Sequence, residues 1–218
     1  MQLAIFDLDN TLLAGDSDHA WGQFLADIGA VDSEAYAQQN QIFYEEYQQG
    51  TLDIDAFLRF SLAPLAKYPI EQLHAWRERF VAEKIAPMVT DKAKNLVEHH
   101  RRRGDEMLII TATNAFVTQP IAELFGIEHL LATQPSINEG KYTGGYVGTP
   151  TFQAGKQTAL AQWLEVRQLQ PTKTWFYSDS RNDLPLLNAV DHPVAVDPDK
   201  ALREYALNQG WPIISLRD

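Results

Sequence analysis

The pentapeptide Asp7-Leu8-Asp9-Asn10-Thr11 follows the apolar run Leu3 to Phe6 without a break. Two carboxylates one residue apart at the end of a buried strand can divide labour. One attacks as a nucleophile or holds a metal, and the other moves protons. Their mutual repulsion calls for a cation, and an all-oxygen site favours Mg²⁺. The plainer alternative is an Asp-rich turn that caps the next helix. An EF-hand loop does not fit, because the sixth position counted from Asp7 is Leu12 rather than Gly and the twelfth is Asp18 rather than Glu.

Three later segments carry signals of the same kind. Leu108 to Ile110 runs into Thr111-Ala112-Thr113-Asn114, a strand that ends in a hydroxyl and then enters a helix, where Thr and free N–H groups can form an anion site. Lys156 is the only Lys between Tyr142 and Thr172 and lies near the start of a helix. Trp175 to Tyr177 runs into Ser178-Asp179-Ser180-Arg181-Asn182-Asp183, where Asp179 could complete a metal site begun by Asp7. Each has a bland reading: Thr111 as a cap, Lys156 as a surface lysine, Asp179 as an N-cap with Asp183 as a first-turn acid. Four strand ends offering Asp-x-Asp, Thr, Lys and Asp in this order are harder to explain as capping.

These residues need a sheet to bring them together. Continuous apolar runs at Leu3–Phe6, Met107–Ile110, Leu130–Ala132, Trp175–Tyr177, Pro193–Val196 and Ile213–Ile214 suit strands buried on both faces. Helical faces lie between them: Ala93, Leu96, Val97 and His100 before Gly104, then Leu160, Ala161 and Leu164. Asp197-Pro198 reads as an N-cap with Pro at the first helical position, opening a helix that ends near Gly210. Alternating strands and helices predict an α/β fold with a doubly wound parallel sheet. From 15 to 87 only helical faces appear, for example Leu73, Trp76, Phe80 and Val81. The expected division is therefore a core of 1–14 and 88–218 with a helical cap at 15–87. That segment holds 12 acidic and 5 basic residues, a net of -7 out of the chain's -11. Tyr142 to Tyr146 reads as a hairpin-like excursion, and His99 to Arg103 as a solvated cationic helix end.

Composition limits the function classes. With 218 residues, 45% hydrophobic and 22% charged, the chain buries about 70–75% of its unfolded surface without covalent staples. Cysteine is absent, so there is no disulfide framework, thiolate metal site or Cys nucleophile. A net charge of -11 has the wrong sign for a protein that wraps a polyanion, which argues against nucleic acid as a partner. No apolar run approaches a membrane span, and the N-terminus lacks a signal peptide's basic flank, so a cytoplasmic protein without membrane contact is expected. No G-x-x-x-x-G-K-[ST] or G-x-G-x-x-G occurs.

The four elements resemble those of the haloacid dehalogenase superfamily, specifically the phosphoserine phosphatase-like branch. Asp7 to Thr11 matches its D-x-D-x-T, Thr111 its strand-end Thr/Ser, Lys156 its single Lys, and Asp179 with Asp183 its G-D-x-x-x-D, with Ser178 in place of the usual Gly. The resemblance implies a Mg²⁺-dependent phosphomonoesterase acting on a small metabolite, with Asp7 becoming an aspartyl phosphate and Asp9 protonating the leaving alcohol before activating water. It implies metal ligation by Asp7, Asp9 through its carbonyl, and Asp179, with Asp183 on the Lys or on metal-bound water. Thr111, Ala112 and Lys156 would hold the phosphoryl group, and Asn182 would touch the substrate. An acid at Asp9 argues for phosphoryl chemistry, since a departing halide needs no proton. A phosphotransferase of the same fold and a phospholigand-binding protein without turnover are the alternatives.

Substrate class follows from a departure. The branch's carboxylate-binding cap Arg corresponds to Ser61, with Arg59 two residues earlier, whereas its amine-binding acid corresponds to Asp16, with Asp18 nearby. The resemblance thus implies a phosphorylated amino alcohol without a carboxylate, such as histidinol phosphate. Phosphoserine is the competing substrate. Asp16 and Asp18 as mere helix caps are the bland alternative.

Overall fold

A computed structural model describes residues 1–217. Its centre is a seven-stranded sheet in the order β4-β3-β2-β1-β5-β6-β7. The strands are β1 (Gln2–Phe6), β2 (Glu106–Asn114), β3 (His129–Asn138), β4 (Lys141–Val147), β5 (Lys173–Ser178), β6 (His192–Val196) and β7 (Ile213–Ile214). Every pairing is parallel except β3 with β4, the hairpin read around Tyr142 to Tyr146. Chain order reverses at β1, which lies between β2 and β5. That switch point opens a crevice at the carboxyl ends of the strands.

Leu3, Ala4, Ile5 and Phe6 are all fully buried, which explains a continuous rather than alternating apolar strand. Leu3 and Ile5 face one apolar cluster with Leu160, Phe176 and Leu202. Ala4 and Phe6 face the other, with Val97, Ile109 and Tyr177. Burying each large side chain contributes about 1.5–3 kcal/mol, so the central strands firmly anchor the ends that carry Asp7, Thr111 and Asp179.

The helices are α1 (Ser17–Asp27), α2 (Ser33–Gln49), α3 (Ile54–Leu62), α4 (Ile70–Phe80), α5 (Asp91–Arg103), α6 (Ala115–Leu124), α7 (Ala154–Val166), α8 (Leu184–Leu187) and α9 (Lys200–Gln209). The first four follow β1, and the chain enters and leaves them side by side, through the Leu13–Val89 bridge and Ala14 N–H donating to Met88 O at 2.8 Å. Three are opened by aspartate N-caps: Asp16 accepts from His19 N–H, Asp32 from Ala35 N–H, and Asp53 from Asp55 and Ala56 N–H. Part of this segment's acidity is therefore capping. Its base is joined to the sheet layer: Trp21 meets Phe80 and Phe116 edge-on at 5.2 and 5.7 Å, and Arg77 donates to Phe116 O at 2.8 Å. Among the described residues no helix is long and apolar enough to cross a membrane.

Two local expectations are corrected. The last helix is capped by Asp199, whose carboxylate accepts from Leu202 N–H at 2.7 Å, while Asp197 adopts φ 42° and accepts from Leu216 N–H. The His99–Arg103 end is not wholly solvated. His100 is buried and bonded to Asp105 and to the Tyr177 hydroxyl, each at 2.8 Å, because α5 presses that face onto β5.

Candidate active site

Asp7 leaves β1 with its N–H donating to Tyr177 O on β5. The chain then makes a tight turn over Leu8–Leu12 in which Asn10 takes φ 56°, a left-handed conformation Asn tolerates better than most residues. The turn presents both Asp7 and Asp9 at the switch point.

Lys156, in the first turn of α7 and 2% exposed, donates to Asp7 Oδ1 at 2.7 Å and to Asp183 Oδ2 at 2.8 Å. Burial disfavours its charge, and Asp183 and Asp7 more than offset this, so its pKa rises above the ordinary lysine value. Ser178 Oγ also donates to Asp183 Oδ2, at 2.7 Å. The opposite side of Asp7 meets Thr11, whose Oγ lies 3.1 Å from Asp7 Oδ2 and 3.0 Å from Asp179 Oδ1 while accepting from Asp179 N–H. A hydroxyl has one proton and can serve only one of those two carboxylates. Burial, reinforced by Asp7 and Asp183, pushes the Asp179 carboxyl well above the usual range.

Asp9 is held separately. Its Oδ1 accepts from Ser17 N–H at 2.6 Å, and its Oδ2 from Thr113 Oγ at 2.7 Å and Thr111 Oγ at 3.3 Å. Burial, aided by Asp16, raises its pKa to about 6 against the pull of these bonds. A carboxyl poised there can give and take a proton near neutral pH.

Fewer side-chain carboxylates are open to a metal than the four aspartates Asp7, Asp9, Asp179 and Asp183 could supply. Among the described residues no three acidic or imidazole side chains converge as ligands, because Asp183 is engaged by Lys156 and Ser178, and the Asp9 carboxylate by Ser17, Thr111 and Thr113. What remains is Asp7 and Asp179, two carboxylates short of a donor between them. A Mg²⁺ ion, which commonly takes one or two carboxylates and keeps its waters, fits that donor set.

Above these residues lies a cleft enclosing about 520 Å³, part of it open to solvent. Asp7, Asp9, Asp16 and Asp18 line it together with Thr111, Ala112 and Thr113. Its far wall is apolar and aromatic, with Phe43, Tyr44, Tyr47 and Phe57 from α2 and α3. Asp16 both caps α1 and faces the cleft, so the capping and binding readings are not exclusive. Burial is the main cause that raises Asp16 to about 6 and Asp18 well above the ordinary value, and neighbouring aspartates add to both.

Two sequence candidates lie elsewhere. Arg59 is exposed and absent from the cleft wall. It sits one position past the buried Leu58 on α3, which turns it outward. Asn182 is buried but is not part of the cleft wall. Its amide donates to Tyr47 O at 3.0 Å and its Oδ1 accepts from Gln153 at 3.2 Å, tying the end of α2 to the core. Ser61 is buried with its hydroxyl unpaired. Thr113, His19 and Asn40 were not anticipated. Period two along β2 puts Thr113 on the face of Thr111 and was the available signal, whereas His19 and Asn40, from different helices, left none.

The family model for the haloacid dehalogenase-like hydrolases matches residues 4–188. The chain belongs to that family. It is 50% identical to a histidinol-phosphatase of Neisseria meningitidis serogroup C, with 99% of each chain covered. A Bordetella pertussis Tohama I protein of unknown function superposes with a TM-score of 0.94 at 43% identity, covering 99% of both chains. A phosphoserine phosphatase solved as a phospho-aspartyl intermediate analogue shares the fold, with a TM-score of 0.72 at 19% identity over 99% of this chain and 93% of that one. This haloacid dehalogenase-like chain is a phosphatase.

Proposed function

We propose that the chain hydrolyses the phosphate ester of a cationic amino alcohol that lacks a carboxylate, histidinol phosphate above others. The observation that carries this is the cleft's charge: four aspartates line it, and among the described residues no Lys or Arg does. A substrate carboxylate there would meet Asp16 and Asp18 without a cationic partner. A protonated amine would be neutralised by them. The Neisseria histidinol-phosphatase, half identical over its whole length, supports the choice of ring.

In the reaction Asp7 attacks phosphorus, forming an O–P bond as the ester O–P bond breaks, and Asp9 gives its proton to the departing alkoxide. Asp9 then takes a proton from the water that attacks the phosphoryl-Asp7, releasing phosphate and restoring the Asp7 carboxylate. Lys156 and Thr11 hold Asp7 from both sides, and Asp183 steadies Lys156. Asp7, Asp179 and the Asp9 carbonyl would hold a Mg²⁺ ion, which would supply positive charge against the phosphoryl oxygens. Helices α1–α4, at 15–87, act as the cap that keeps bulk water from this step. Phosphate release from histidinol phosphate with Mg²⁺, its loss in EDTA and its absence in Asp7→Asn test the reading. Turnover by Asp7→Asn near the wild-type rate would overturn it.

A further inference from the structure

Two groups on the cap side of the cleft carry hydrogen-bonding capacity that the protein leaves unused. Asn40, on α2, is 4% exposed, and its Nδ2 donates to His19 O at 2.9 Å and lies 3.2 Å from His19 Nδ1. A backbone carbonyl only accepts, so the amide must turn Nδ2 toward His19 and keep Oδ1 as its free end. An amide N–H only donates, so His19 Nδ1 accepts and the ring proton sits on Nε2. Burial lowers the His19 pKa, which keeps the ring neutral and this tautomer in place. Both residues line the cleft, and beside them the Tyr44 ring stands 4.7 Å from that of His19. Neither Asn40 Oδ1 nor His19 Nε2 bonds to another described residue, and neither is sealed away: the enclosed unpaired side-chain atoms are Ser17 Oγ and Ser61 Oγ.

The arrangement is built into the helix packing. A Cβ on Gly22, in the middle of α1, would stand 2.7–2.8 Å from the Asn40 Cγ, Oδ1 and Nδ2. Glycine, a poor helix former, thus occupies the position where the amide lies flat against α1.

We propose that Asn40 Oδ1 and His19 Nε2–H are the acceptor and donor that read the two ring nitrogens of the substrate's imidazole. The inference rests on the histidinol phosphate reading above. A neutral imidazole offers one N–H and one bare nitrogen, the complement of this pair. With the amine at Asp16 and Asp18, the ring is the substrate's remaining polar group. A benzene ring of similar size would leave both protein groups dry and unpaired, the situation in which hydrogen-bonding sites discriminate most strongly.

The test compares kcat/KM for histidinol phosphate and phenylalaninol phosphate, which share amine and phosphate and differ in the ring. Wild type should prefer the imidazole at least about a hundredfold. Asn40→Leu should cut that ratio at least about tenfold, mainly through KM. Gly22→Ala keeps both side chains and a sound helix but drives a methyl into the amide, and it should move the ratio the same way even where Asn40→Leu fails to fold. A wild-type preference that survives within threefold in the folded variants overturns the pair and leaves the substrate reading standing. A wild type faster on phosphoserine than on histidinol phosphate overturns both.

Discussion

Asp16→Asn should make the metal-free protein more stable and a worse enzyme. The Asp16 carboxyl is raised from 3.8 to about 6, by burial first and Asp7 last, against bonds from the His19 and Asp18 N–H groups. Two units at 1.36 kcal/mol each make the charged form about 3 kcal/mol costlier in the fold than in the unfolded chain. Partial exposure of the residue reduces this to roughly 1–3 kcal/mol. Asn retains the acceptor for His19 N–H, so the α1 cap survives. Because the folded pKa is the higher one, the native Asp costs stability above pH about 6, less as pH falls through that value, and nothing below 3.8. The Asn variant's gain should therefore be full at pH 8 and absent near pH 4. Thermal melts in EDTA would read it at roughly 2–4 °C per kcal/mol. In the same protein kcat/KM for a cationic substrate should fall more than that for p-nitrophenyl phosphate, by the ~1.5–3 kcal/mol of a charged hydrogen bond. A variant no more stable at pH 8 than wild type, or equally stabilised at both pH values, would refute the electrostatic argument.

Asp9→Asn should lower kcat by about 10²–10⁴ on alkyl phosphates and much less on aryl phosphates, whose leaving groups need no proton; equal losses in a steady-state comparison would remove Asp9 from the acid role. Lys156→Met leaves Asp7 and Asp183 buried without their cation, and should destabilise the protein by about 3–5 kcal/mol at neutral pH. Urea unfolding should show this loss shrinking toward acid pH as the Asp183 carboxyl takes up a proton. Large folded phosphoproteins should be poor substrates beside small esters if α1–α4 cap the site, which phosphate release from both classes would measure.

The central strands and the residues at their ends were legible because physics ties them to neighbours in the chain. A strand buried on both faces must be continuously apolar, and Asp7, Thr111 and Asp179 stand at or just past such runs. The hairpin around Tyr142 and the glycine stops at Gly104 and Gly210, both with positive φ, were legible for the same local reason. The cleft wall was not. His19 and Asn40 meet only because α1 and α2 pack across Gly22, and a Gly in a helix has many possible causes. The outward placement of Arg59 was not legible because its direction depends on how α3 rotates against its neighbours. His100 looked like part of a surface cluster, since nothing local announces that Asp105 and Tyr177 will enclose it.

The central claim is that the cleft selects a cation and rejects a carboxylate, and the most direct measurement is kcat/KM of the wild-type enzyme, with Mg²⁺ at neutral pH, for histidinol phosphate and phosphoserine side by side. An uncompensated carboxylate against Asp16 and Asp18 should hold phosphoserine at least about a hundredfold lower, the scale of ~3 kcal/mol. Equal values, or phosphoserine ahead, would contradict the account.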